Sequence, residues 1–251
     1  MAMISAAIIT FNEERNIGRC IDSLQGVADE IIVVDSYSTD DTEAICKERG
    51  VTFVQHKFEG HIEQKNYAVT QTNYEYILSL DADEALSDTL KASILHEKNT
   101  MQQDVYAMNR LTNYCGQWIK HGGWYPDTKI RLFKKGSGTW GGVNPHDKIL
   151  VQPGSHMGKL KGDLLHFSFY TVAQHKEQAR KFASIAAHAM HKQGRKAGWW
   201  SIFIHPPAKF IRNYFLKAGF LDGYNGLRIC LISSLTTYRK YKMLYALSKE
   251  A

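Results

Sequence analysis

Tyr76-Ile77-Leu78-Ser79-Leu80 runs straight into Asp81-Ala82-Asp83-Glu84, and the reading of these nine residues decides the fold. Five mostly apolar residues are too few for an ordinary helix and fit a strand buried on both faces; the sudden carboxylates mark its exit. The same grammar recurs upstream. Residues 3–10 (MISAAIIT) break at Phe11-Asn12-Glu13-Glu14, residues 30–35 (EIIVVD) break at Ser36, and residues 51–54 make a third short run. Between these runs the period changes. Ile17, Cys20, Ile21 and Leu24 fall at i, i+3, i+4 and i+7, one face of a helix. Ser38 opens a capping-box-like Ser38-Thr39-Asp40-Asp41 whose helix runs to Gly50. Residues 61–70 form a further helix, and Ser87 caps another through about Glu97.

Strands alternating with helices predict an α/β domain: a mainly parallel sheet flanked by helices. Ligands of such sheets bind beyond the carboxyl ends of the strands. Three ends here carry polar groups: Thr10-Phe11-Asn12-Glu13, Asp35-Ser36 and Asp81-Ala82-Asp83. Their shared position predicts that they converge. No Gly-x-Gly-x-x-Gly follows the first strand and no P-loop occurs, so a nucleotide diphosphate needs another partner. Two carboxylates one residue apart, Asp81 and Asp83, suit Mg²⁺ or Mn²⁺, whose shell diphosphate oxygens and water would complete.

Composition narrows the classes. The 251 residues carry 31 Lys and Arg against 25 Asp and Glu, a net of +6. That sum hides a dipolar chain: residues 1–104 carry −11 and residues 105–251 carry +17. The basic half invites anionic partners, whether nucleic acid, phosphate or a membrane surface. A 44% hydrophobic content with 5 Pro excludes disordered and fibrous classes. Cys20, Cys46, Cys115 and Cys230 form no CxxC pair, which argues against a disulfide scaffold or zinc module and suits a reducing cytosol. No signal-peptide pattern opens the chain and no apolar run approaches ~20 residues, so no membrane span is expected.

From about residue 105 the pattern loosens. Residues 105–113 and 129–134 read as strands joined by the aromatic loop Gly122-Gly123-Trp124-Tyr125-Pro126-Asp127. Residues 136–147 read as a glycine- and Trp-bearing loop, and residues 164–169 as a last short strand. Beyond Thr171 the chain reads as helical, to about Gln193, then over 199–216 and 222–247.

Residues 8–14 (IITFNEE), 31–36 (IIVVDS) with Ser38, Thr39, Asp40 and Thr42, then Gln64-Lys65-Asn66 and Leu80-Asp81-Ala82-Asp83-Glu84, together resemble family 2 glycosyltransferases. These are inverting GT-A-fold enzymes that use nucleotide sugars. The second half is similar to the branch that includes bacterial lipopolysaccharide core glycosyltransferases, through residues 122–127 (GGWYPD), 129–133 (KIRLF), 143–147 (VNPHD), 166–168 (HFS) and 219–223 (GFLDG). That branch usually shows Val-His-Glu; here Asn144-Pro145 intervene and Asp147 replaces Glu. The resemblance implies that Phe11, Glu13 and Asp35 surround the donor's base and ribose, with Thr10 as a backbone wall. It implies that Asp81 lies near ribose and metal, that Asp83 ligates the metal and that His166 completes its shell. Lys65 would meet the diphosphate, although spacing alone equally allows a solvated helix lysine.

Inversion needs one base for the acceptor hydroxyl. Acids are rare after residue 104: Asp127, Asp147, Asp163, Glu177, Asp222 and Glu250. Asp147 matches the family's base position, and Asp127 is second. Trp124, Tyr125 and Trp140 could stack on acceptor sugars or close small hydrophobic clusters, and Arg131 could meet an acceptor phosphate or acid. His188 and His191 read as a polar helix face. The basic, Trp- and Phe-bearing C-terminal helices suit an anionic bilayer or, alternatively, a cap on the catalytic domain.

The expectation is therefore a divalent-metal-dependent (Mn²⁺ or Mg²⁺) enzyme moving a hexose, by default from a UDP-sugar, to a lipopolysaccharide-core or other lipid-linked glycan. It would be cytoplasmic, at the inner face of the membrane, with no nucleic-acid partner. Residues 1–170 would be the catalytic domain, with a donor half (1–104) and an acceptor half (105–170), and residues 171–251 a helical extension. The competing readings are a sugar nucleotidyltransferase and a non-catalytic membrane- or nucleic-acid-binding module.

Overall fold

A computed structural model describes the backbone of residues 1–143 and 146–250. Asn144 and Pro145, which interrupt the second-half motif, lie outside the described residues. Along the chain the elements are β1 (Ile4–Thr10), α1 (Ile17–Leu24), β2 (Glu30–Asp35), α2 (Thr42–Glu48), β3 (Thr52–Gln55), α3 (His61–Thr70), β4 (Tyr76–Asp81), β5 (Glu84–Leu86) and α4 (Asp88–Lys98). There follow β6 (Val105–Tyr114), β7 (Gln117–Ile119), β8 (Asp127–Lys134), β9 (Gly138–Val143), β10 (His146–Val151), β11 (Met157–Phe169), α5 (Val172–Lys192), α6 (Trp199–Ile211) and α7 (Gly223–Glu250). Two compact units result, residues 1–110 with 127–167 and residues 111–126 with 168–251. The division drawn at residue 170 thus differs from the observed one: segment 111–126 clusters with the C-terminal helices.

The first unit is built on a sheet of order β3-β2-β1-β4-β8-β6-β11-β5. β1 pairs in parallel with both β2 and β4, and β2 in parallel with β3. β4–β8, β6–β8 and β5–β11 are antiparallel. The sheet is therefore mixed, with its parallel part formed by the first four βα repeats and flanked by helices as expected. Period 2, with both faces covered, explains why β1 is mostly apolar. Ile4, Ala6 and Ile8 face a core shared with Ile17, Cys20, Ile21 and Leu24 of α1 and Leu90 and Ile94 of α4. Ala7 faces the opposite core with Ile32, Val34, Ala68, Trp140 and Ile149.

Four local readings are corrected. Residues 136–147 are mostly strand: β9 and β10 form an antiparallel hairpin in which Trp140 lies opposite Ile149. Its glycines suggested a loop, yet they are strand positions facing bulky partners. A Cβ on Gly141 would stand 2.5 Å from Leu150 Cδ1, and one on Gly138 2.8 Å from Ile149 Cγ2. The last strand, β11, has 13 residues rather than six. β5 follows directly, so Glu84, read with the exit carboxylates, is a buried strand residue. Finally, α2 starts at Thr42 and Ser38 does not cap it; the Ser38 side chain turns back to Asp35. Ser87 does cap α4, accepting from the Leu90 amide.

In the second unit, Thr171 and Gln174 form a capping box at the start of α5, and α5 and α6 both pack on α7. A π turn (Arg212–Leu216) and a 3₁₀ turn (Gly219–Asp222) join α6 to α7. Buried Asp222 accepts from the Lys120 amide (3.2 Å), the His121 amide (2.7 Å) and His121 Nδ1 (2.9 Å). These bonds tie segment 111–126 to the helices. Among the described residues no helix is long and apolar enough to cross a membrane.

Candidate active site

Strand register brings the three polar exits together: Thr10 lies beside Asp35, and Ile9 beside Asp81. The first two exits are then stitched. The Asn12 amide donates to Ser38 Oγ (2.7 Å), the Thr39 amide to Asn12 Oδ1 (2.8 Å) and the Glu13 amide to Thr42 Oγ1 (2.9 Å). Asn12 has φ 53°, which an asparagine tolerates. Asp35 is fully buried and accepts from both the amide and the hydroxyl of Ser38, so its carboxylate organises this double loop. Phe11 stands 56% exposed at the rim. Thr10 is buried, and its Oγ1 has no partner among the described residues.

α3 uses three successive side chains in three directions, as steps of 100° on a helix require. Gln64 Nε2 donates to Ser36 Oγ (3.1 Å) and Gln64 Oε1 meets His56 Nδ1 (2.8 Å). Asn66 clamps the backbone of Trp140, donating to its carbonyl (3.0 Å) and accepting from its amide (3.1 Å). Between them, buried Lys65 reaches Asp147 Oδ2 (2.6 Å) and Asp81 Oδ1 (2.9 Å), with its Nζ 4.3 Å from the Trp140 ring centroid.

This lysine belongs to a chain of alternating charge. Asp81 Oδ2 takes Arg131 Nη2 at 3.0 Å, and the same nitrogen meets Glu84 Oε1 at 2.7 Å. Arg110 continues from Glu84 (3.4 Å) to Asp127 (2.8 Å). The order is Asp147–Lys65–Asp81–Arg131–Glu84–Arg110–Asp127, so each buried cation has an acid on either side. Burial alone would raise the Asp81 carboxyl, but Lys65 and Arg131 outweigh it and hold Asp81 well below the usual carboxylate range. Arg131 stays charged because Glu84 and Asp81 offset its burial. Its Nε has no partner among the described residues.

Beside this chain lies a second acidic group. Phe167 donates its amide to the Asp83 carbonyl (2.9 Å), and His166 pairs with Glu84 across β5 and β11. That register sets His166 Nε2 3.1 Å from Asp83 Oδ2. Glu13 is close enough to feel Asp83, Asp40 and Asp81. Burial first, and these charges after it, push its carboxyl up to about 7 despite a hydrogen bond from Asn16. A carboxylate and an imidazole side by side suit Mn²⁺ or Mg²⁺, and a cation held there would offset the Asp83 and Asp81 charges that Glu13 feels. Among the described residues no three His, Cys, Asp or Glu side chains gather closely enough to hold a metal alone. Diphosphate and water would have to supply the remaining ligands.

The structure places the acceptor candidates differently from one another. Trp140 is 3% exposed, and its Nε1 donates to Ser79 Oγ (3.1 Å). Its ring fills the core and offers no open face for a sugar. Arg131 is equally enclosed. Trp124 and Tyr125 belong to the second unit, where Trp124 packs edge-on against Tyr114 and His175. Sequence reasoning missed Glu84, Arg110 and Asn66 as site-building residues. The signal for Glu84 was present: the alternation Ile130-Arg131-Leu132 places a charge on a core-facing strand, which demands a buried acid.

The glycosyl transferase family 2 model matches residues 5–148. A glycosyltransferase of Rickettsia typhi is 30% identical, over 99% of this chain and 88% of its own length. A lipopolysaccharide core biosynthesis glycosyltransferase of Rhizobium meliloti is 26% identical, over 96% and 93%. Among solved structures, glucosyl-3-phosphoglycerate synthase of Mycobacterium tuberculosis with phosphoglyceric acid aligns with a TM-score of 0.38 and 25% identity. That alignment covers 45% of this chain, which spans only 44% of the synthase.

Proposed function

The chain belongs to glycosyl transferase family 2, and from that premise we propose that it is an inverting, metal-dependent hexosyltransferase with a UDP-sugar donor. We place the acceptor among lipopolysaccharide-core or other lipid-linked glycans at an anionic membrane surface on the cytoplasmic side. Family membership makes the chain a glycosyltransferase rather than a nucleotidyltransferase or a non-catalytic binding module. The observation that carries the finer reading is that three strand exits lie side by side and that one of them, through Asp81, enters a charge network that includes Asp147. The lipopolysaccharide-core relative supports the acceptor class.

In this reading Phe11 and the loop organised by Asp35 receive the base and ribose, and Glu13 and Thr10 line the same mouth. Asp83 and His166, with Asp81 beside them, would hold Mn²⁺ or Mg²⁺, which supplies charge stabilisation to the departing diphosphate. Lys65, already committed to Asp81 and Asp147, positions those carboxylates. Asp147 takes the proton of the acceptor hydroxyl as that oxygen attacks the anomeric carbon. The bond to the diphosphate breaks on the opposite face, and the configuration inverts. Trp124 and Tyr125 stay as acceptor-side candidates; Trp140 and Arg131 act from within the core.

A thermal-shift panel of UDP-, GDP- and dTDP-sugars, with and without Mn²⁺, tests the donor site. Stabilisation by one nucleotide class only with metal, abolished in Asp83→Ala, is expected. No metal-dependent shift with any of them would refute the proposal.

A further inference from the structure

α6 is inside out. Trp199, Trp200, Phe203, Ile204, Ile211 and, one turn on, Phe215 recur at helical spacing, and each is more than half exposed. Leu216 beside them is 78% exposed. The packed side carries the polar residues. Ser201 and Asn213 are buried, His205 stacks on Tyr241 of α7 at 4.3 Å, and the Pro206 carbonyl accepts from Ser234 Oγ at 2.8 Å. A helix at the surface of a water-soluble protein has the reverse arrangement, and contiguous exposed apolar area of this kind marks an interaction face.

Charge selects the occupant. Residues 178–221 contain eight Lys and Arg and no Asp or Glu. Beyond Asp222 the next acid is Glu250, while α7 adds Arg228, Arg239, Lys240, Lys242 and Lys249. A second copy docking face to face would set these uncompensated cations against one another. An anionic bilayer satisfies both the apolar face and its basic surroundings. The paired tryptophans at one end of the face are the residue type enriched at the headgroup level.

We propose that the outward face of α6 and the following π turn lies in the plane of an anionic bilayer, with Trp199, Phe203, Ile204, Ile211 and Phe215 at the headgroup–acyl boundary. This deepens the membrane part of the proposed function and rests on it only for the claim that the acceptor is a glycolipid. The second unit is then the membrane anchor, holding the chain at the surface without spanning it.

The test uses the full chain and vesicles of phosphatidylglycerol with phosphatidylcholine, or of phosphatidylcholine alone. Wild type floats with the anionic vesicles, and Phe203→Glu/Ile204→Glu weakens this binding by about tenfold or more. Because both residues are exposed, the thermal midpoint and the nucleotide-sugar shift of that variant stay at wild-type values. Brominated lipid quenches tryptophan emission in wild type and not in Trp199→Phe/Trp200→Phe. Absence of flotation, or flotation that ignores both double variants, overturns the proposal. So does a stable dimer that Phe203→Glu/Ile204→Glu converts to monomer. Vesicle binding with transfer only to soluble glycans would leave the surface standing and remove the glycolipid-acceptor reading; transfer to a glycolipid without vesicle binding would do the opposite.

Discussion

Arg131→Met tests whether the charge chain is a structural element of the catalytic unit. Arg131 is 3% exposed, and its Nη2 serves both Asp81 (3.0 Å) and Glu84 (2.7 Å). Methionine fills similar volume, so the change removes charge more than packing. Asp81 would keep Lys65, but Glu84, whose side chain is wholly buried, would keep only the Asp81 amide at 3.1 Å and, as its one cation, Arg110 at 3.4 Å. Removing one partner of a buried pair costs about 3–5 kcal/mol. Urea unfolding should therefore show a loss of that order. Adding Glu84→Gln should recover part of it, since the stranded charge is gone. A destabilisation below about 1 kcal/mol that Glu84→Gln leaves unchanged would refute this reasoning. Arg131 would then have to be a solvated residue free for acceptor binding, as the strand pattern alone allowed.

Asp147→Asn should lower kcat by at least about 100-fold and leave the metal-dependent nucleotide-sugar shift intact, as loss of a general base requires. A kcat within threefold of wild type would remove Asp147 from that role. His175 is buried against Tyr114 and Phe169, and burial pushes its imidazole down from 6.5 to about 4. The unfolded chain binds the extra proton between those values, so stability should fall as pH drops from 6.5 towards 4, by up to about 3 kcal/mol. His175→Phe should flatten that slope in denaturant titrations, and an unchanged slope would assign it to other groups. Gly226→Ala should destabilise by about 1–3 kcal/mol, because a Cβ there would stand 2.0 Å from the Gly219 carbonyl oxygen. A wild-type thermal midpoint would show that the 3₁₀ turn can move aside.

The sequence by itself determined the βα repeat, the strand exits and the carboxylate pair after β4, because periodicity and turn chemistry are local. A strand of MISAAIIT needs only its own apolar run to declare burial on both faces, and Ser87 caps α4 through a bond four residues long at most. Partnership was decided only by the tertiary structure. Lys65 and Asp147 are 82 positions apart, and Arg131 finds Glu84 across 47. The second pair exists because β8 joins β4 and β11 joins β5 in particular registers, and the first because Asn66 of α3 holds the β9–β10 hairpin by Trp140; no local pattern encodes either. The glycines of β9 misled for the same reason: Gly141 sits under Leu150 of the neighbouring strand and not in a turn. On α6 the apolar and basic content was legible, but docking its polar side on α7 decided which face was left outward. Composition states what a helix carries; packing states where it points.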